Sequence, residues 1–157
     1  MKVEYVEPFI RAARDVLKIM MDLDTERGEL RASDAFIPSK EASVIIGVTG
    51  DLSGSILYSF PKDMTLSMVE IMAGMTVDEL DSFVASALAE VANIISGNAL
   101  IYLSTNNYTC DLVPPQIVLG KHSSLSMATD RVLIVQLKTR IGDFEIFITL
   151  KENKPKQ

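Results

Sequence analysis

Ser86, Glu90, Asn93 and Gly97 are the residues of this chain whose types and spacing could do chemistry together. They follow one another at intervals of four, three and four, so on an α-helix they form a single stripe. Their neighbours Leu88, Ala89, Val91, Ala92, Ile94 and Ile95 are small or apolar. A carboxylate and a carboxamide three residues apart lie side by side on a helix. Glu90 can pair with a cation. The Asn93 amide both accepts and donates, so it can hold a water and donate to an oxyanion. It has no useful proton affinity near neutral pH and cannot act as a general base. Orienting a water is enough where chemistry is mostly positioning, as in phosphoryl transfer. Gly97 costs about 1 kcal/mol against alanine inside a helix. A close approach of another backbone there would account for it. Spacing alone favours the plainer alternative, in which the stripe is the solvent face of an amphipathic helix.

A long helix must carry the stripe. The sequence predicts one from an acidic first turn at Asp78-Glu79-Leu80-Asp81 to about Leu103, ended by Thr105-Asn106-Asn107. Before it, Pro61-Lys62-Asp63 opens a helix that stops at Gly74. Residues 7–22 read as a first helix with Pro8 in its first turn, and the charged stretch 22–31 reads as a loop. Strands are expected near Ala35-Phe36-Ile37, over 43–48 and over 53–60, the last two joined as a hairpin through Gly50 and Asp51. Further strands are expected at 108–113, at 116–119 beyond a Pro114-Pro115 break, at 131–139 and at 143–150. Gly142 marks the last turn. Helix, strands, helix pair, strands suggests two similar halves in an α+β domain, an antiparallel sheet covered by helices. Residues 1–150 make one domain, and residues 151–157 a polar tail that frays.

Composition narrows the function. The 157 residues are 48% hydrophobic and 23% charged, enough for a core. A net charge of −6 disfavours nucleic acid and anionic membrane surfaces. The N-terminus lacks the pattern of a secretory signal, and no run approaches the ~18 apolar residues of a membrane helix. The chain therefore reads as soluble and cytoplasmic. One cysteine, Cys110, excludes an intramolecular disulfide, and Cys110 with the one histidine, His122, cannot build a typical zinc site. Cys110 reads as a buried free thiol and His122 as a loop residue. Gly47, Gly50 and Gly54 are hairpin glycines, since no Lys-Ser/Thr completes a phosphate loop. Met64, Met68, Met72 and Met75 read first as core packing, and second as an adaptable docking surface.

Ser86-x-x-x-Glu90-x-x-Asn93 resembles the signature of the CheC/CheX/FliY chemotaxis phosphatases, and Ile94-Ile95-Ser96-Gly97-Asn98-Ala99 resembles its continuation. Two more segments resemble CheX proteins: Val44 to Phe60, like their first hairpin, and Asp111 to Gly120, like their Pro-Pro segment. The resemblance implies a pseudo-repeat fold with long helices on one side of the sheet. It implies dephosphorylation of a CheY-like response regulator. Glu90 would bind a lysine of the receiver and Asn93 would hold the attacking water, with Ser86, Gly97 and Asn98 as supporting positions. It implies no cofactor or metal on this chain, Mg²⁺ on the phosphorylated receiver, and a homodimer formed through the sheets. CheC-type members carry the signature twice. Here the first helix reads Glu7-Pro8-Phe9-Ile10, with isoleucine in place of the amide, so one active centre per chain is expected, as in CheX. Asn98 after Gly97 is more typical of CheC-like members. The rival reading is a non-catalytic binding module of the same fold, serving a response regulator or the flagellar switch. A small-molecule hydrolase has little support, because no nucleophile–base pair is evident.

Overall fold

The first helix, α1 (Val3–Met21), buries Tyr5, Phe9, Ala12, Ala13, Val16 and Leu17 along one face. It starts four residues before the sequence-based expectation, so Pro8 lies inside it rather than in its first turn. Proline there removes one backbone donor, a cost confined to the second turn. The helix ends at Asp22, in left-handed conformation with φ 52°, where Lys18 Nζ pairs with Asp22 and Asp24 at 3.0 and 3.2 Å.

The computed structural model describes residues 1–120 and 131–153. Beyond α1 these form β1 (Glu26–Ser33), β2 (Ala42–Gly50), β3 (Leu52–Phe60), α2 (Lys62–Ala73) and α3 (Ser82–Thr105). Then come β4 (Cys110–Leu112), β5 (Gln116–Leu119), β6 (Val132–Thr139) and β7 (Gly142–Glu152). His122 lies outside the described residues.

One antiparallel sheet runs in the order β1-β6-β7-β3-β2-β4, with β5 also on β2. At its centre β3 pairs with β7, each the second strand of a hairpin. The edge strands cross over. β1, from the first half, pairs with β6, and β4 and β5, from the second half, pair with β2. Pro114-Pro115 splits one edge into β4 and β5, opposite the two ends of β2. This exchange of edge strands between helix-plus-hairpin halves is the expected pseudo-repeat. Gly54 is required where the halves meet. Its φ is +154°, and a Cβ there would stand 1.7 Å from the Thr149 carbonyl oxygen of β7.

Helices cover one face. Val44, Ile46, Ile56, Tyr58, Phe144, Ile146 and Ile148 alternate along the strands and pack on α1 and α3. The opposite face carries a second, smaller cluster in which Phe36 is buried on Leu57, Val132, Ile134 and Phe147. Residues 34–41 lie over it without strand structure, which corrects the strand expected at Ala35-Phe36-Ile37. The segment is held by polar bonds instead. Lys40 N–H donates to Ser59 Oγ at 2.9 Å, and the Ser39 hydroxyl donates to Glu145, whose carboxylate also pairs with Arg31 at 2.7 Å.

Three other expectations change. Much of the stretch expected to be a loop at 22–31 is strand β1, whose side chains are mostly exposed. An edge strand lined with charge has no apolar alternation to reveal it. α3 begins at Ser82, with the Asp81 carboxylate accepting from Val84 N–H at 2.9 Å, so Asp78 and Glu79 precede the helix instead of forming its first turn. At the C-terminal end β7 continues through Lys151 and Glu152, opposite Ser53 and Leu52. The Tyr5 hydroxyl donates to Glu152 at 3.1 Å and Asn153 N–H to the Asp51 carbonyl at 2.9 Å, which draws these residues out of the expected tail.

Candidate functional site

α3 is the positioning element. Its buried face, Leu88, Val91, Ala92, Ile95, Ala99 and Leu103, packs into the main core. Length and composition alone would let this helix span a membrane, contrary to the expectation from apolar runs, but half of its most apolar window is buried within the protein. Its rotation is locked from below. The hydroxyls of Tyr58, on β3, and Ser96 are 2.8 Å apart and fully buried. Burial pushes the Tyr58 phenol well above its ordinary range, so the pair is neutral.

With that face down, helical geometry turns the stripe outward. Ser86 and Glu90 are exposed, and Asn93 and Gly97 are half-buried. The structure therefore brings Ser86, Glu90, Asn93 and Gly97 onto one surface. Asn98 departs from it. Five residues on from Asn93, it is about 140° round the helix. That direction leads towards Tyr102, one turn further on, whose hydroxyl donates to Asp15 of α1 and whose ring lies 4.2 Å beneath the Arg11 guanidinium.

Among the described residues, neither Glu90 nor Asn93 has a side-chain hydrogen bond or ion pair within the protein. The close backbone approach expected at Gly97 is absent: a Cβ there would meet nothing within 4 Å among those residues. Among the described residues the site is thus an open face, with a notch at Gly97 beside the carboxamide. No group of three His, Cys, Asp or Glu side chains is placed to hold a metal ion among the described residues.

The other half offers a comparison. Buried positions 8, 9, 12, 13 and 16 of α1 repeat as 91, 92, 95, 96 and 99 of α3. That register sets Glu7 against Glu90 and Ile10 against Asn93. Glu7 is exposed, but Ile10 is only 2% exposed and has no amide to present.

One feature beside the stripe was not anticipated. A cleft of about 230 Å³ opens between α1, α2 and α3, lined by Met20, Val69, Met72, Phe83, Ala87 and Val91, with Glu90 at its rim. It divides the methionine series. Met64 and Met68 are core, Met72 lines the cleft, and Met75 is 55% exposed. The available signal was Phe83, an aromatic seven residues before Glu90 and off the buried face.

Fold and site together define a class: an α+β protein that presents a carboxylate and a carboxamide from an outer helix rather than enclosing them. The family model for the chemotaxis phosphatase CheX matches residues 42–137, and the chain belongs to that family. It is 28% identical, over 123 residues, to the CheY-P phosphatase CheX of Thermotoga maritima, covering 77% of this chain and 79% of that one. Among solved structures it is similar to a chemotaxis protein CheX from Desulfovibrio desulfuricans, with TM-score 0.84, 26% identity and coverage of 95% and 100%. It is also similar to the structure of a CheX–CheY–BeF3–Mg²⁺ complex from Borrelia burgdorferi, with TM-score 0.81, 28% identity and coverage of 96% and 100%. The resemblance read from the three motifs holds at the level of family and fold.

Proposed function

We propose that this chain dephosphorylates the phosphoaspartate of a CheY-like response regulator in the cytoplasm. The observation that carries the reading is the pair Glu90 and Asn93, side by side on the open face of α3 and unpartnered among the described residues. Membership of the CheX family supports it.

Glu90 docks a lysine of the receiver, and this pairing brings the Asn93 carboxamide to the phosphoryl group. The amide oxygen accepts from a water and sets it in line with the bond to be broken. Water oxygen bonds to phosphorus, the bond to the aspartate oxygen breaks, and the aspartate leaves as a carboxylate. The water's protons pass to the phosphate and solvent, since Asn93 takes none. Catalysis by this residue is positioning. Mg²⁺ belongs to the receiver, where it offsets the phosphoryl charge. Gly97 leaves room beside Asn93 for the receiver's loop, and Ser86 borders the same face. With Ile10 at the position matching Asn93, each chain holds one centre. The family resemblance also supports a homodimer formed through the sheets, and a monomeric mass in light scattering at micromolar concentration would overturn that part.

The deciding experiment follows the decay of a phosphorylated CheY-type receiver from the same organism. Asn93→Ala is expected to lower the catalysed rate by on the order of 10²-fold or more, as losing a group that acts in the transition state does. Glu90→Ala should act mainly on the receiver concentration needed. Full activity in Asn93→Ala refutes the mechanism.

A further inference from the structure

Glu90 and Asn93 make poor sources of affinity. Both contact features that any phosphorylated receiver offers, a cation and a phosphoryl group. An exposed ion pair gains little, because solvent screens it and two long side chains must be ordered. Association still has to overcome the loss of rotational and translational freedom. Apolar surface must supply the difference, and it lies next to Glu90. Of the residues lining the 230 Å³ cleft, Glu90 is the one that carries charge. Phe83, which lines the cleft with Glu90, is 48% exposed, a large apolar side chain left in water.

We propose that this cleft receives an apolar side chain of the receiver that stands beside the lysine paired with Glu90, and that the cleft determines which receiver is accepted. The inference rests on the phosphatase reading and names its specificity element. The occupant follows from the lining: an apolar pocket with one carboxylate at its rim fits an apolar group flanked by a cation. Met20 and Met72 are unbranched and adapt their shape to what enters. Phe83 is a rigid aromatic of the kind that anchors interfaces. None of these three touches the reacting atoms in the proposed mechanism.

The prediction is a split in kinetic parameters. Phe83→Ser and Met72→Ser should each raise the KM for the phosphorylated receiver by about tenfold and leave kcat within about twofold, the sign of binding made equally in ground and transition states. Their Kd for the BeF3-activated receiver should weaken in parallel. Ala87→Met fills the cleft from within and should raise KM likewise. It keeps the test decisive should either serine variant fail to fold. Phe83→Leu should recover most of the affinity. Wild-type KM in Ala87→Met and in whichever serine variants fold overturns the inference while leaving the phosphatase reading intact. If the wild-type chain accelerates the decay of no CheY-type receiver from its organism, the function falls, and the inference with it.

Discussion

The Tyr58 and Ser96 hydroxyls, 2.8 Å apart and fully buried, join the central strand of the sheet to the helix that carries the candidate site. Each is the other's hydrogen-bond partner in an otherwise apolar core. Tyr58→Phe should leave the Ser96 hydroxyl buried without a partner and destabilise the protein by about 1–3 kcal/mol. Removing both hydroxyls, in Tyr58→Phe/Ser96→Ala, should cost less than the sum of the single changes, since no orphan remains. Urea unfolding of the four proteins measures this. Additive losses would show that the pair is not coupled.

Cys110 is the chain's lone thiol, half-buried in β4. Burial raises its pKa, and the nearby Asp51 and Asp111 charges add to the rise against opposing backbone hydrogen bonds. The thiolate is the reactive form. A raised pKa means a smaller thiolate fraction at pH 8, so Cys110 should react with a disulfide reagent several-fold more slowly in the folded protein than in urea. As pH rises towards the folded-state pKa, the thiolate fractions converge and the gap should narrow. Equal rates at pH 8 in the two conditions would place Cys110 in an open, unperturbed setting.

Legibility in the sequence followed burial. β2, β3, β6 and β7 face the core, and their apolar runs marked them. So did the glycine at the end of α2, where Gly74 adopts φ +68°. β1 was invisible because its residues meet solvent and only its backbone, hydrogen-bonded to β6, makes it a strand. Phe36 misled in the opposite way, being fully buried by tertiary contact in a segment without strand pairing. At the site, the spacing of Ser86, Glu90, Asn93 and Gly97 sufficed to put them on one face. The cleft did not show, because its walls come from three helices and its depth depends on how α2 meets α3. Gly97 was legible only in part: a helical glycine marks missing volume, and the surrounding packing decides whether that volume stays open, as it does here among the described residues.

Gly97 gives the sharpest separation of stability from function. A helical glycine costs about 1 kcal/mol relative to alanine. Within this chain nothing offsets that cost, since a Cβ at Gly97 would have open space for 4 Å among the described residues. Gly97→Ala should therefore stabilise the isolated protein by up to about 1 kcal/mol and raise its melting temperature. The same methyl group would stand one turn from Asn93, in the notch assigned to the receiver's phosphorylated loop. Dephosphorylation should then fall at least tenfold, because a small displacement of a positioning group costs much in rate. Calorimetry and receiver decay on one preparation measure both effects. A variant that is more stable and equally active would show that the notch receives nothing. One that is less stable would show that some contact of Gly97 within the protein had been missed, and lower activity would then carry no information about the receiver.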